Sequence, residues 1–266
     1  MRNEDKISIV YSTCNEYSFL WKDFLKLFKL FFAEKSTIYS TASIYCEYDG
    51  IKLIPTTKSK DQSFSSRLIS CLLDNVTNDF VLFILDDFFF FDKVDVNVVD
   101  LAYDLLTKDN RIGMVCLHDM IPYSGRCNDI YNDDFGVIDK TLPFSINTQV
   151  SLWRKSFFLK VLRYGESAWE FENYASYRNK FYKEKSLYIK DKYCHAFFYV
   201  DGGVLNRGVI RKEAIPFFLM FNIDFSRYPK TLVDNNLRKN KMFTRIINAF
   251  KKRLYMFMSV FIGKNK

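Results

Sequence analysis

Asp79-Phe80-Val81-Leu82-Phe83-Ile84-Leu85-Asp86-Asp87 is the stretch whose reading decides the fold. It holds an unbroken apolar run between two acidic ends, the mark of a strand covered on both faces in the middle of a parallel sheet. Moving towards the N-terminus, Ser63 to Leu73 reads as a helix, Gly50 to Pro55 and Thr37 to Tyr45 as strands, and Phe19 to Phe32 as a helix with its Phe and Leu residues at helical spacing. Ile7 to Ser12 is a short β-branched run that opens the series and ends in the loop Ser12-Thr13-Cys14-Asn15. Moving the other way, Val94 to Thr107 predicts a helix and Arg111 to Leu117 another strand. Strand and helix alternate through the first 120 residues, which is the pattern of a doubly wound sheet.

Beyond residue 120 the pattern loosens. Residues 121–148 are rich in Asn, Asp, Gly and Pro and read as a long loop. Trp153 to Arg163 predicts a short helix. A second helix follows Gly165-Glu166-Ser167-Ala168-Trp169-Glu170-Phe171-Glu172 and runs to about Tyr182. Leu187 to Val200 is strand-like, with turns at Gly202-Gly203 and Asn206-Arg207-Gly208. In 266 residues with 48% apolar and 18% aromatic content, and only 9 Gly and 5 Pro, there is ample material for a core, which excludes a disordered or collagen-like chain. The six cysteines form no CxxC pair and read as reduced thiols in a cytosolic protein.

The net charge of +8 is unevenly placed. Nine Lys and Arg residues and no acidic residue fall within residues 235–266, and removing them leaves about −1 for residues 1–234. A near-neutral body argues against nucleic acid as a partner. Within the tail, Phe243, Ile246, Ile247, Phe250, Leu254, Phe257, Met258 and Phe261 share one helical face, with Lys241, Arg245, Lys251, Lys252 and Arg253 on much of the remainder. Leu254 to Gly263 is uncharged for only ten residues, about half of what a spanning helix needs. The tail reads as a basic amphipathic helix lying on an anionic membrane surface. A terminal helix packed on the body with its basic face in water is the other reading.

Chemistry-bearing residues concentrate at two places. Asp86 and Asp87 follow a buried strand, where ligands of open α/β sheets bind, and paired carboxylates there suit a hard divalent cation and a diphosphate; a solvated turn would also favour Asp. Trp169-Glu170-Phe171-Glu172 sets two acids beside two aromatics at a helix start. A carboxylate desolvated there would serve as a general base, while Glu in a first helical turn also complements the helix dipole.

In order, Ser65-Ser66-Arg67-Leu68, Phe83 to Phe90 with its diacid, Ser151-Leu152-Trp153-Arg154-Lys155 and Ala168-Trp169-Glu170-Phe171-Glu172 resemble the GT-A glycosyltransferases, in particular a bacterial family of surface-polysaccharide (O-antigen or capsule) synthesis. The resemblance spans roughly residues 5–210 and implies a GT-A-like, Rossmann-like mixed sheet flanked by helices, with residues 1–234 as the catalytic domain and 235–266 as the tail. It implies transfer of a sugar from a nucleotide-sugar donor to a lipid-linked or oligosaccharide acceptor, with inversion, at the cytoplasmic face of the cell membrane. Ser12, Thr13, Asn15 and Glu16 would meet the nucleotide, Arg67 the donor, and Arg207 the diphosphate. Asp86 and Asp87 stand where the family has its Asp-x-Asp metal motif, although here the text is Asp-Asp-Phe. His195 would complete the site of a Mn2+ or Mg2+ ion. Glu172, with Glu170 as the second choice, matches the acid that deprotonates the acceptor hydroxyl. Two further classes remain open, a Mg-dependent phosphoryl or nucleotidyl transferase and a non-catalytic membrane-peripheral binding protein. No Gly-rich phosphate loop follows the first strand, which speaks against the former.

Overall fold

The computed structural model describes residues 4–33, 36–56, 61–118, 130–190, 193, 196–206, 208–228 and 259–260. Its spine is made of two strands foreseen from sequence, and the structure pairs them: β1 (Ile7–Ser12) lies parallel to β5 (Phe80–Leu85), in register from Ile7 opposite Phe80 to Ser12 opposite Leu85. On the far side of β1 come β2 (Ser36–Ser40) and β4 (Ile51–Pro55), both parallel, and the antiparallel edge strand β3 (Cys46–Tyr48). On the far side of β5 come the antiparallel β8 (Ser151–Arg154), then β6 (Ile112–Cys116), β9 (Lys185–Ile189) and β7 (Phe135–Val137), completing a nine-stranded mixed sheet. A two-stranded hairpin, β10 (Leu205–Asn206) with β11 (Val209–Ile210), stands apart from it.

Both faces are covered, as the unbroken apolar text of β5 requires. Ile7, Ile9, Tyr11, Leu82 and Ile84 face one cluster with residues of α1 (Ser18–Phe31) and α3 (Val96–Lys108). Val10, Val81 and Phe83 face the other, with α2 (Phe64–Asp74), α4 (Lys155–Val161) and α5 (Ala168–Asn179). Phe88 to Phe91, just after the diacid, are buried in the first cluster, where Phe91 stacks on Phe217 of α6 (Ile215–Met220) at 4.6 Å.

Three stretches differ from the sequence reading: β7 lies inside residues 121–148, read as a loop; the strand read over Leu187 to Val200 ends at Ile189, with 196–200 outside any strand; and one element changes kind. Trp153 and Arg154 belong to strand β8, and the helix begins only at Lys155. The strand is four residues long and buries Leu152 in one cluster and Trp153 in the other, so no apolar period develops in the sequence. The predicted tail lies outside the described residues except for Ser259 and Val260; the Ser259 side chain is buried and takes a hydrogen bond from Arg178 Nη1 at 3.3 Å. Among the described residues no helix is long and apolar enough to cross a membrane.

Candidate active site at the carboxyl ends of the central strands

Asp86 and Asp87 leave β5 at its carboxyl end, beside the end of β1. The Asp86 N–H donates to Ser12 O at 3.1 Å and the Tyr11 hydroxyl donates to Asp86 O at 3.0 Å, so the turn is fixed to β1 by its backbone. Burial raises the Asp86 carboxyl, against a hydrogen bond from Thr13 and the positive charge of Arg67. The Asp87 carboxyl is pushed well above the usual range, first by burial and then by the neighbouring Asp86 charge; the positive charge of Arg211 and the Leu205 N–H only partly oppose this. Asp87 Oδ1 is buried and has no hydrogen-bond partner among the described residues. The 200–211 segment closes on this carboxylate. Val204 N–H donates to Asp87 O at 2.8 Å, and a Cβ on Gly203 would stand 2.1 Å from Asp87 Oδ2. Gly203 also has φ +81°, so both the conformation and the space call for glycine.

The loop after β1 forms the neighbouring wall. Thr13 N–H donates to Thr41 Oγ1 at 2.8 Å, Thr41 Oγ1 donates to Thr13 O at 2.6 Å, and Trp21 Nε1 donates to Thr13 Oγ1 at 3.0 Å. Asn15 exchanges hydrogen bonds with Ser43, at 2.9 and 3.1 Å, and so ties this loop to the one after β2. Glu16 is exposed, its carboxyl lowered by its own N–H and by the Cys14 thiol. Cys14, half-buried, is pushed up to about 11, chiefly by burial. Arg67, in the first turns of α2, donates to Gln62 O and keeps a buried Nε without a partner among the described residues. Its positive charge reaches Asp86, Cys14 and Glu16, so of the residues predicted for the donor Arg67 lies near Asp86 and Glu16.

Glu172 arrives from α5. Thr148 donates to its Oε1 twice, from N–H and from Oγ1, both at 2.8 Å, and burial raises the carboxyl against those bonds. Thr148 lies three residues before Ser151, the antiparallel partner of Phe83, which lies three residues before Asp86. The general-base candidate and the diacid thus share one end of the sheet. Glu170 has a different task. Ser167 accepts from Glu170 N–H at 3.3 Å while Glu170 Oε2 accepts from Ser167 N–H at 3.0 Å, a capping box that starts α5.

His195 and Arg207 lie outside the described residues. Arg211 is the basic residue that the structure sets against Asp87, and sequence reasoning passed over it although it stands close after the Gly202-Gly203 turn. His118, just beyond β6, is buried against the Tyr199 ring at 4.6 Å. No group of three or more His, Cys, Asp or Glu side chains suited to a metal exists among the described residues. The two aspartates nevertheless fit a hard cation in part: they offer carboxylate oxygens, one of them buried and unpartnered, and leave room in the coordination shell for substrate oxygens.

The crystal structure of S. aureus TarS 1-349 superposes on this chain with a TM-score of 0.50, covering 94% of this chain and 80% of that one at 12% identity. The chain has the GT-A fold. A Leptospira borgpetersenii cytidylyltransferase matches at a TM-score of 0.44 and 11% identity over 98% of each chain. Glucosyl-3-phosphoglycerate synthase from Mycobacterium tuberculosis, solved with Mn2+, UDP and phosphoglyceric acid, matches at 0.39 and 13% identity over 68% of this chain and 66% of its own. No protein-family model and no curated protein matches the sequence. Within this fold the carboxyl end of β5, beside that of β1, carries the diacid, and α5 brings Glu172 to the same end of the sheet.

Proposed function

We propose that the chain is a glycosyltransferase that moves a sugar from a nucleoside-diphosphate donor to a hydroxyl of a lipid-linked or oligosaccharide acceptor in surface-polysaccharide synthesis. The observation that carries the reading is the buried, unpartnered Oδ1 of Asp87 beside Asp86, at the same sheet end as a desolvated Glu172. The GT-A fold supports it, and TarS 1-349, whose fold is shared, is also solved with UDP and with UDP-GlcNAc.

The residues then divide the work. The β1 loop, held by the Thr13–Thr41 and Asn15–Ser43 bonds, forms a preset wall for the nucleotide. Arg67 and Arg211 bring positive charge to the diphosphate, and the Gly203 turn seals that side. Asp86 and Asp87 would hold a divalent cation, which when bound supplies positive charge to the departing diphosphate. Glu172, its Oε1 fixed by Thr148, takes the proton from the acceptor hydroxyl as that oxygen attacks the anomeric carbon from the face opposite the diphosphate, inverting its configuration. The segregation of basic charge into residues 235–266 supports attachment to the inner face of the cell membrane.

The test is thermal stability against UDP, GDP, CDP and dTDP, with and without Mn2+. One nucleotide at a hundredfold excess over its Kd is expected to add about 2.7 kcal/mol, or about 5–10 °C in Tm. Mn2+ should enlarge that shift in the native chain and leave it unchanged in Asp87→Ala. No shift with any nucleotide would overturn the reading.

A further inference from the structure

The outward face of α5 holds a feature that the donor site does not explain. The helix buries Phe171, Tyr174, Ala175, Arg178 and Asn179, and also Ser176, which lies under the 141–146 turn. Trp169 and Asn173 lie opposite Phe171, Tyr174 and Arg178, where helical spacing calls for polar residues. Trp169 is 60% exposed, whereas the other two tryptophans, Trp21 and Trp153, are 2% and 0% exposed. A large ring in water adds nothing to the core, and an isolated one calls for no explanation. This one is not isolated. The Phe144 ring approaches it at 5.5 Å with an interplanar angle of 53°, and Phe144 holds φ +58°, a conformation rarely taken by a bulky residue.

Phe144 also borders a cavity of about 140 Å³ between the 141–144 turn and α5, lined on the helix side by Asn173, Ser176, Tyr177 and Lys180. The wall is built. Ser176 Oγ donates to Ile146 O and accepts from Ile146 N–H, both at 3.0 Å, which clamps the turn to the helix. Asn173 Nδ2 donates to Trp169 O at 2.7 Å, and its Oδ1 has no partner among the described residues. Glu172 falls about 60° round the helix from Trp169 and is adjacent in sequence to Asn173. An exposed aromatic face, an amide acceptor and a small cleft side by side suit a sugar ring, whose C–H face packs on indole and whose hydroxyls seek amides. A lipid chain or an apolar side chain would leave the Asn173 amide unsatisfied.

We propose that this groove is the acceptor subsite and that it takes a pyranose ring, packed on Trp169 beside Phe144 and donating a hydroxyl hydrogen bond to Asn173 Oδ1, so that a neighbouring hydroxyl faces Glu172. The assignment of Glu172 rests on the transferase reading; the sugar groove itself can be tested without it. Because Trp169 is the exposed tryptophan of the three, its fluorescence reports on the groove directly. The experiment is acrylamide quenching of the full-length protein across a panel of methyl pyranosides (gluco, galacto, manno and N-acetylglucosamine configurations) at millimolar concentrations, run alongside the UDP thermal shift.

At least one glycoside is expected to protect the exposed tryptophan saturably, and Asn173→Ala to weaken that Kd by about three- to tenfold, the worth of one hydrogen bond, with the UDP shift unchanged. Absence of protection by every glycoside while UDP still binds would overturn the groove assignment and leave the transferase reading standing. Protection by phosphatidylglycerol vesicles with none from any glycoside would also overturn it, in favour of a lipid-facing surface. Glycoside protection without any nucleotide shift would uphold the sugar groove and sink the transferase reading.

Discussion

Two carboxylates side by side in a buried turn cost stability, and the sign of that cost can be read from pH. The folded Asp87 carboxyl lies well above its unfolded value, so the folded state binds more protons and stability falls as pH rises between the two values. Below about pH 3.9 both states are protonated and the cost is absent. Asp87→Asn is therefore expected to raise Tm at neutral pH, by about 2–4 °C for each kcal/mol recovered, and to lose that gain at the acid end. The same variant should lose the Mn2+ enhancement of nucleotide binding, whereas equal Tm values at pH 7 would mean that the pair is already relieved within the fold. Glu172 is read in the other direction. As a base it must be ionised, and burial has raised its pKa, so kcat should climb with pH through a value above that of a free Glu carboxyl and then level off. Glu172→Gln should remove that limb and lower kcat by about 10²–10⁴-fold with the UDP shift intact; a rising limb that survives would assign it to another group. These candidates stood out in sequence because each sits at an abrupt change of pattern: Asp86-Asp87 at the end of an apolar run, Glu172 with Trp169 near a helix start. Arg211 did not, since only the fold of the 200–211 segment brings it to Asp87. Sequence ranked Glu172 ahead of Glu170 only by resemblance, because the capping box that occupies Glu170 and the Thr148 bonds that hold Glu172 show only in the fold.

At the scale of elements, what could be read depended on how long a pattern had to run. β1, β5 and α1 to α3 each carry enough consecutive residues to show a period, and the structure returns them within about two residues of expectation. β8 and β7 have four and three residues and are pinned by their neighbours in the sheet, so their own text says little. The turns show the same dependence on surroundings, and two glycines allow it to be measured. Gly165 and Gly203 have nearly the same backbone, φ +84° and +81°, yet a Cβ at Gly165 would find its nearest atom, Asp61 Oδ2, at 3.9 Å, while at Gly203 it would collide with Asp87. Alanine at either position pays the left-handed strain, of order 1 kcal/mol. Gly165→Ala should thus lose only a few degrees of Tm and keep its nucleotide shift. Gly203→Ala should lose the shift as well, because Asp87 must move; retention of full UDP binding there would mean that the 200–211 turn is not part of the donor site.

For the molecule as a whole, the open question is which surface the basic tail meets. Sequence alone left two readings, an in-plane membrane helix and a helix packed on the body. Ser259 reaches Arg178 Nη1, and Arg178 is fully buried in a pair with Glu166 at 2.6 Å, itself bound through its backbone to Ser65 of α2. At least one residue of the tail thus rests on the same helix that carries Glu172. The two readings are compatible if Ser259 marks the inward side of the tail and its lysines the outward side, which gives charge and docking separate signatures. Lys251→Glu, Lys252→Glu and Arg253→Glu together reverse three charges without touching Ser259. If each cation contributes about 1 kcal/mol at an anionic surface, losing all three should weaken binding to phosphatidylglycerol vesicles by at least about 10²-fold, with Tm unchanged. Ser259→Glu should do the opposite. A carboxylate forced beside Glu166 competes for Arg178 within a buried site, so Tm should fall while vesicle binding by the free tail persists. A triple variant that lowers Tm and leaves vesicle binding intact would place the basic face against the body and remove the membrane from the protein's function.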